Sequence, residues 1–272
     1  MEQEYVADII KDLENADMIL VGLGEEFDAV RQIRHAQNYE KGRDLLLDSS
    51  QSSLFPAWQN LYREELEDSG IANGLNSLCK RIAEKNYFVV SVSTNDEIRQ
   101  IPWKNNHLVM PCGSAFYMQC TNDCECNLQR LGTDMQDNLK IQLLEWRGKM
   151  ELDSTACPDV PVGMGFCPKC GKAIELNNVY SGNYDENGYL DSWNLYTRWL
   201  QGTLNRNLVV LELGVGMKYP SVIRFPFEKI VYFNQKAKFY RINENLYQLT
   251  EELAGKGVGI AKNAIDWLQN LC

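Results

Sequence analysis

The chain has 272 residues and sets 27 Lys and Arg against 37 Asp and Glu, for a formal net charge of −10. That balance excludes a nucleic-acid or anionic-membrane surface, which needs clustered cations. Hydrophobic residues make up 44%, ample for a sizeable core, yet no apolar run approaches the roughly 20 residues needed to cross a bilayer.

The start, MEQEYVADIIKDLENA, is acidic and lacks a basic n-region, so it is not read as a leader, and the cytoplasm is the default address. Val6, Ile9, Ile10 and Leu13 fall at helical spacing and predict a first helix over 3–15. Met18-Ile19-Leu20-Val21 reads as a strand running into the turn Gly22-Leu23-Gly24, with a helix expected over 25–34. The stretch 45–53, LLLDSSQSS, loses its periodicity and suggests a mobile loop, followed by helices near 57–67 and 71–85. Residues 87–92, YFVVSV, read as a buried parallel strand ending at Ser93-Thr94-Asn95-Asp96, and 108–110 as a weaker one. From Cys112 the regular alternation of strand and helix stops until about Tyr184. A helix is then expected over 192–204, with Trp193, Tyr196 and Trp199 facing the core. After it come a strand LVVLEL running into Gly214-Val215-Gly216, a last strand over 239–242 ending at Asn243, and a closing helix over 258–271. This order predicts an α/β fold, a Rossmann-like doubly wound parallel sheet built from 1–112 and 181–272, with 113–180 as a small inserted module. Ligands of such sheets bind outside the carboxyl ends of the strands, which would gather the two glycine turns, Asn95 and Asn243 around one crevice.

The insert carries the strongest local signal. Of nine Cys, Cys120-Thr-Asn-Asp-Cys124 and Cys167-Pro-Lys-Cys170-Gly171 form two short-spaced pairs. Each pair can give two thiolates on a tight turn, so together they make a closed, structural zinc site in a reducing compartment. Cys126 and Cys157 compete for one place. Cys124 is preferred because the shorter loop closes more easily on one ion. His35 and His107 are the only histidines available as bases. By itself the glycine turn is a weak signal, since Phe27 stands where a dinucleotide fingerprint has its third glycine.

Taken together the motif order resembles that of the sirtuins, and most closely the macrodomain-linked microbial class. The motifs that carry the likeness are Asn86–Val90 (NYFVV), Cys167–Lys172 (CPKCGK), Leu211-Glu-Leu-Gly-Val-Gly216 with Pro220, Arg224-Phe-Pro-Phe227, and Arg241-Ile-Asn243. The likeness covers most of 16–245, is strongest over 160–245, and is poor over 25–80. It implies that 1–112 and 181–272 form an NAD-binding domain. Gly22 and Gly24 would approach the NAD pyrophosphate, Asn95 the nicotinamide ribose, Gly214 and Gly216 the adenosine side, and Asn243 the adenine ribose. It also implies zinc on Cys120, Cys124, Cys167 and Cys170. The implied activity is NAD-dependent ADP-ribosyl transfer to a protein, which the macrodomain-linked class extends to lipoyl-carrying proteins.

Three positions depart from that pattern. Leu23 and Glu26 stand where the family has alanine and serine, and Cys112 holds the place of the catalytic His or Gln. Glu25 and Glu26 therefore either abut a diphosphate or turn away as ordinary first-turn acids, and tight NAD binding is expected in neither case. Cys112 is read as a small buried hydrophobe in the catalytic position rather than a base. Two functions follow. One is an ADP-ribosyltransferase that is not a lysine deacylase. The other is a catalytically inactive sirtuin-fold module for protein interaction or for sensing a nucleotide or ADP-ribose.

Overall fold

The computed structural model describes residues 2–271 apart from 29–30, 67–69, 123, 125–127, 154–156, 162 and 254. Its main sheet is built from β1 (Met18–Leu23), β2 (Asn86–Ser91), β3 (Leu108–Val109), β7 (Leu208–Leu213), β8 (Lys238–Asn243) and β9 (Gly257–Ala261). A smaller sheet holds β4 (Gly113–Cys120), β5 (Gln129–Arg130) and β6 (Ile174–Asn178). The helices are α1 (Glu2–Asn15), α2 (Arg31–Arg34), α3 (Tyr39–Leu47), α4 (Phe55–Arg63), α5 (Ile71–Ile82), α6 (Glu97–Gln100), α7 (Thr133–Leu152), α8 (Asn187–Gln201), α9 (Arg224–Phe233) and α10 (Ala264–Gln269).

The main sheet is parallel throughout, in the order β3-β2-β1-β7-β8-β9. Strand order reverses between β1 and β7, so the crevice of a doubly wound sheet opens at their carboxyl ends. Both strands are buried along their whole length. Alternate side chains supply two separate cores, as the period of two requires. Ile19, Val21 and Leu23 join Val209 and Leu211 under α5 and α10, while Met18, Leu20, Leu208 and Val210 meet α8 and α9 on the other face.

The 112–184 stretch is more regular than its composition suggests. The small antiparallel sheet, β5-β4-β6, lies there with the 20-residue helix α7. Leu139, Leu143, Trp146 and Met150 form the buried stripe of α7. Exposed Ile141 and Leu144 blur that stripe in the sequence.

Three other expectations are corrected. The residues after Gly24 form a 3-10 turn, Glu25–Phe27, and a short α2 in place of one helix over 25–34. The stretch 45–53 is anchored: Leu46 and Ser53 are buried, and the Ser52 hydroxyl donates to the Tyr180 carbonyl at 2.6 Å. The last strand is β9, formed where a closing helix was expected over 258–271. Gly257 and Gly259 lie so close to the Phe239 and Tyr247 carbonyls that a side chain there would collide, and β9 pairs with β8 in parallel register. Only then does Asn263, accepting from the Ile265 and Asp266 amides, start α10.

Candidate functional site

Both glycine turns end at the switch point, but they are bonded to each other. The Gly24 amide donates to Leu213 O at 2.9 Å and the Glu26 amide to Gly214 O at 3.2 Å. A methyl group on Gly24 would lie 2.2 Å from the Gly214 carbonyl oxygen, so this glycine serves the contact between the two turns. Gly22, within β1, is covered by Ile223, the residue before α9, and by Phe227 within that helix.

Both carboxylates reach across the chain. Glu25 accepts from the Gly216 amide at 2.6 Å and from the Lys218 amide at 3.2 Å. Glu26 is buried and accepts from the Glu244 amide at 3.0 Å and the Ala264 amide at 2.7 Å. Burial lifts the Glu26 carboxyl above the ordinary range, and the two amides offset part of that lift. Backbone amides that would receive an anion are thus already bonded to the protein's own acids. A diphosphate brought beside Glu25 would meet like charge at about 4 kcal/mol per charge pair at 4 Å and an effective dielectric near 20. In this arrangement the residues present do not fit a dinucleotide pyrophosphate.

The remaining crevice residues are equally engaged. Asn95 is buried, donates to Phe27 O at 3.1 Å and accepts from the Glu97 amide at 3.0 Å. Asn243 donates to Val215 O at 3.1 Å and accepts from the Asn245 and Leu246 amides. The Cys112 thiol is buried, and desolvation pushes its pKa well up, so it stays protonated and cannot act as a base. Neither histidine reaches it: His107 contacts Tyr87 O and stacks on Phe88, and His35 is exposed.

Sequence reasoning missed several polar groups around this crevice. Asp28 is buried and accepts from the Ser93 hydroxyl at 2.7 Å and the Thr94 amide at 2.8 Å, joining the ends of β1 and β2. Asp96, also buried, accepts from the Ser114 hydroxyl at 2.7 Å and pairs with Arg99 at 3.0 Å. Lys218 lies over the Tyr180 ring at 4.2 Å and donates to its hydroxyl. Beneath the second turn, Glu212 and Arg241 face each other in register on β7 and β8 and bond at 2.6 Å, and Arg241 also binds Glu228. Arg224 reinforces the turn, donating to Val215 O at 2.9 Å. A signal for that pair existed: Glu212 interrupts an otherwise apolar strand, and Arg241 lies within the next one.

The small sheet gathers the four cysteines expected to act together. Cys120 and Cys170 Sγ lie 3.3 Å apart, Cys124 and Cys167 Sγ 3.8 Å, and all four within 4.8 Å of one another. Four thiolates about 2.3 Å from a zinc ion at tetrahedral corners stand about 3.8 Å apart, so the donor set fits that ion. Cys157 is exposed and outside this group, and Cys126 lies outside the described residues.

No family model matches the chain. A Staphylococcus aureus protein named protein ADP-ribosyltransferase is 20% identical over 271 residues, covering 92% of this chain and 82% of its own. A Fusarium oxysporum f. sp. cubense protein, named probable bifunctional ADP-ribose hydrolase/ADP-ribosyltransferase, is 27% identical over 131 residues, 47% of this chain and 21% of its own length. Among solved structures, a Sir2 homolog–NAD complex superposes with TM-score 0.56 at 12% identity, covering 97% of this chain and 91% of that one. A Sir2 homologue–ADP-ribose complex superposes with TM-score 0.54 at 15% identity, covering 97% and 94%.

Proposed function

The chain has the sirtuin fold, and on that premise we propose that it is a divergent sirtuin-like protein that acts through a protein partner and does not cleave NAD by itself. The observation that carries this reading is the Glu25 carboxylate on the Gly216 and Lys218 amides. Support comes from Asn95 and Asn243, whose amide groups are each tied to the surrounding backbone, and from the protonated thiol of Cys112. In this reading 1–112 and 181–272 form the Rossmann-like body and 113–180 the insert. Zinc on Cys120, Cys124, Cys167 and Cys170 would staple the ends of the small sheet and has no open position for chemistry. Thiols gathered for metal fit a reducing compartment, and the cytoplasm is the proposed address.

A second reading is NAD-dependent ADP-ribosyl transfer to a protein, a lipoyl-carrying protein included. It is favoured by the names of the two relatives, one of them aligned with 92% of the chain. Lysine deacylation belongs to neither reading, because it needs a base near neutral pKa within reach of a ribose hydroxyl, and Cys112 offers none. The test is nicotinamide release from NAD by the zinc-loaded protein, alone and with acyl or lipoyl proteins. Release at the uncatalysed rate in every mixture is expected. Release coupled to ADP-ribose on the added protein would establish the second reading in place of the first.

A further inference from the structure

Among acids at the crevice, Glu25 and Glu26 have different surroundings. Glu26 is buried, and its carboxylate ties the first turn to the amides of Glu244 and Ala264. Glu25 is half-buried, and among the described residues its carboxylate rests on the second glycine turn, through Gly216 and Lys218. The peptide unit behind the Gly216 amide is fixed from beneath, since Val215 O accepts from both Arg224 and Asn243. A methyl group on Gly216 would meet the Glu25 carboxylate at 3.1 Å, so the acid sits directly on the turn backbone. A turn held with its amides facing outward is a site for a phosphate-sized anion. Here one anion is already supplied, by the chain itself.

We propose that Glu25 is the specificity-determining residue of the crevice, an internal anion that occupies the second glycine turn and excludes diphosphate ligands. The inference rests on the reading of the crevice as a closed sirtuin-fold nucleotide site, and it goes further by giving the exclusion to one side chain. Glu26 holds the architecture, while Glu25 holds the ligand place. Glu25→Gln removes the like charge and replaces one acceptor by an N–H₂ group that repels the amide it faces, and Glu25→Ala removes the occupant as well. Neutralising Glu26 leaves the Gly216 and Lys218 amides still bonded to Glu25.

The test uses the full zinc-loaded chain and ADP-ribose, which carries the diphosphate but no nicotinamide, so binding is read apart from turnover. Calorimetry is run on wild type, Glu25→Gln, Glu25→Ala and Glu26→Gln, each first shown to be folded by circular dichroism. Glu25→Gln and Glu25→Ala are expected to bind ADP-ribose about tenfold or more tightly than wild type, and Glu26→Gln no better than wild type. Amide resonances of Gly216 and Lys218 should shift on titration in Glu25→Gln and stay in place in wild type. Folded Glu25 variants that bind no more tightly than wild type would overturn the proposal. So would wild type binding at micromolar concentration with the Gly216 amide shifting. Nicotinamide release by the wild type, with these affinities as expected, would instead strike the proposed function and leave the role of Glu25 standing.

Discussion

Gly214 shows how little room single residues have at the crevice. Its φ of +62° lies in the left-handed region, and a methyl group there would stand 2.6 Å from Cβ of Glu26. Gly214→Ala should therefore cost about 2–4 kcal/mol, from backbone strain and collision together, measured by denaturant unfolding. Asp28 makes a different prediction. Burial holds its carboxyl above the ordinary range against the pull of Ser93, Arg63 and Thr94, and Asp96 and Glu26 are raised by the same cause. Acids raised on folding bind more protons folded than unfolded, so stability falls as pH climbs from their unfolded values through the raised ones. The melting temperature should rise as pH is lowered from 7 towards about 5, and the rise should be smaller in Asp28→Asn. A flat profile in wild type would contradict it. The two glutamates were legible in sequence as misfits in a phosphate turn. Their direction was not, because their partners lie 191 residues away for Glu25 and 218 and 238 residues away for Glu26.

At the level of elements, legibility followed how far each one depends on distant packing. Strands β1, β2 and β7 announce themselves by continuous apolar runs because both of their faces are covered. β9, with Gly-Val-Gly-Ile-Ala, has little strand propensity of its own and forms because β8 offers it an edge in register. The helix α7 hides behind exposed apolar residues, and its stripe emerges only once its burial is known. The strand pair β7 and β8 carries its own prediction. Arg241 is almost fully buried between Glu212 and Glu228, so Arg241→Met would leave Glu212 in the core with only the longer 3.9 Å contact to Arg224. The expected cost is about 3–5 kcal/mol in denaturant unfolding, the scale for removing one partner of a buried pair. A double variant, Glu212→Leu with Arg241→Met, should recover most of that loss. If the single variant is as stable as wild type, the pair does not hold the second turn.

For the whole molecule, the parallel sheet, the place of the crevice and the cysteine insert were legible because periodicity and spacing are local properties, whereas the closing of the crevice was not, because Glu25 and Glu26 meet amides far along the chain. The insert is tested by metal. Metal analysis should give about one zinc per chain, and Cys167→Ser with Cys170→Ser should release it and lower the melting temperature. Retention of zinc by that double variant would place the ion elsewhere. The crevice has a kinetic side as well. Glu26 is joined to Glu244 and Ala264, so its turn is completed by amides 218 and 238 residues further along the chain. During synthesis the first βα unit leaves the ribosome long before its closing partners exist, and its acid stays in water until they arrive. Contacts of such long sequence separation form late and slow the final step of folding. The shape of the ligand edge therefore waits on amides made 218 and 238 residues after the acid they bind.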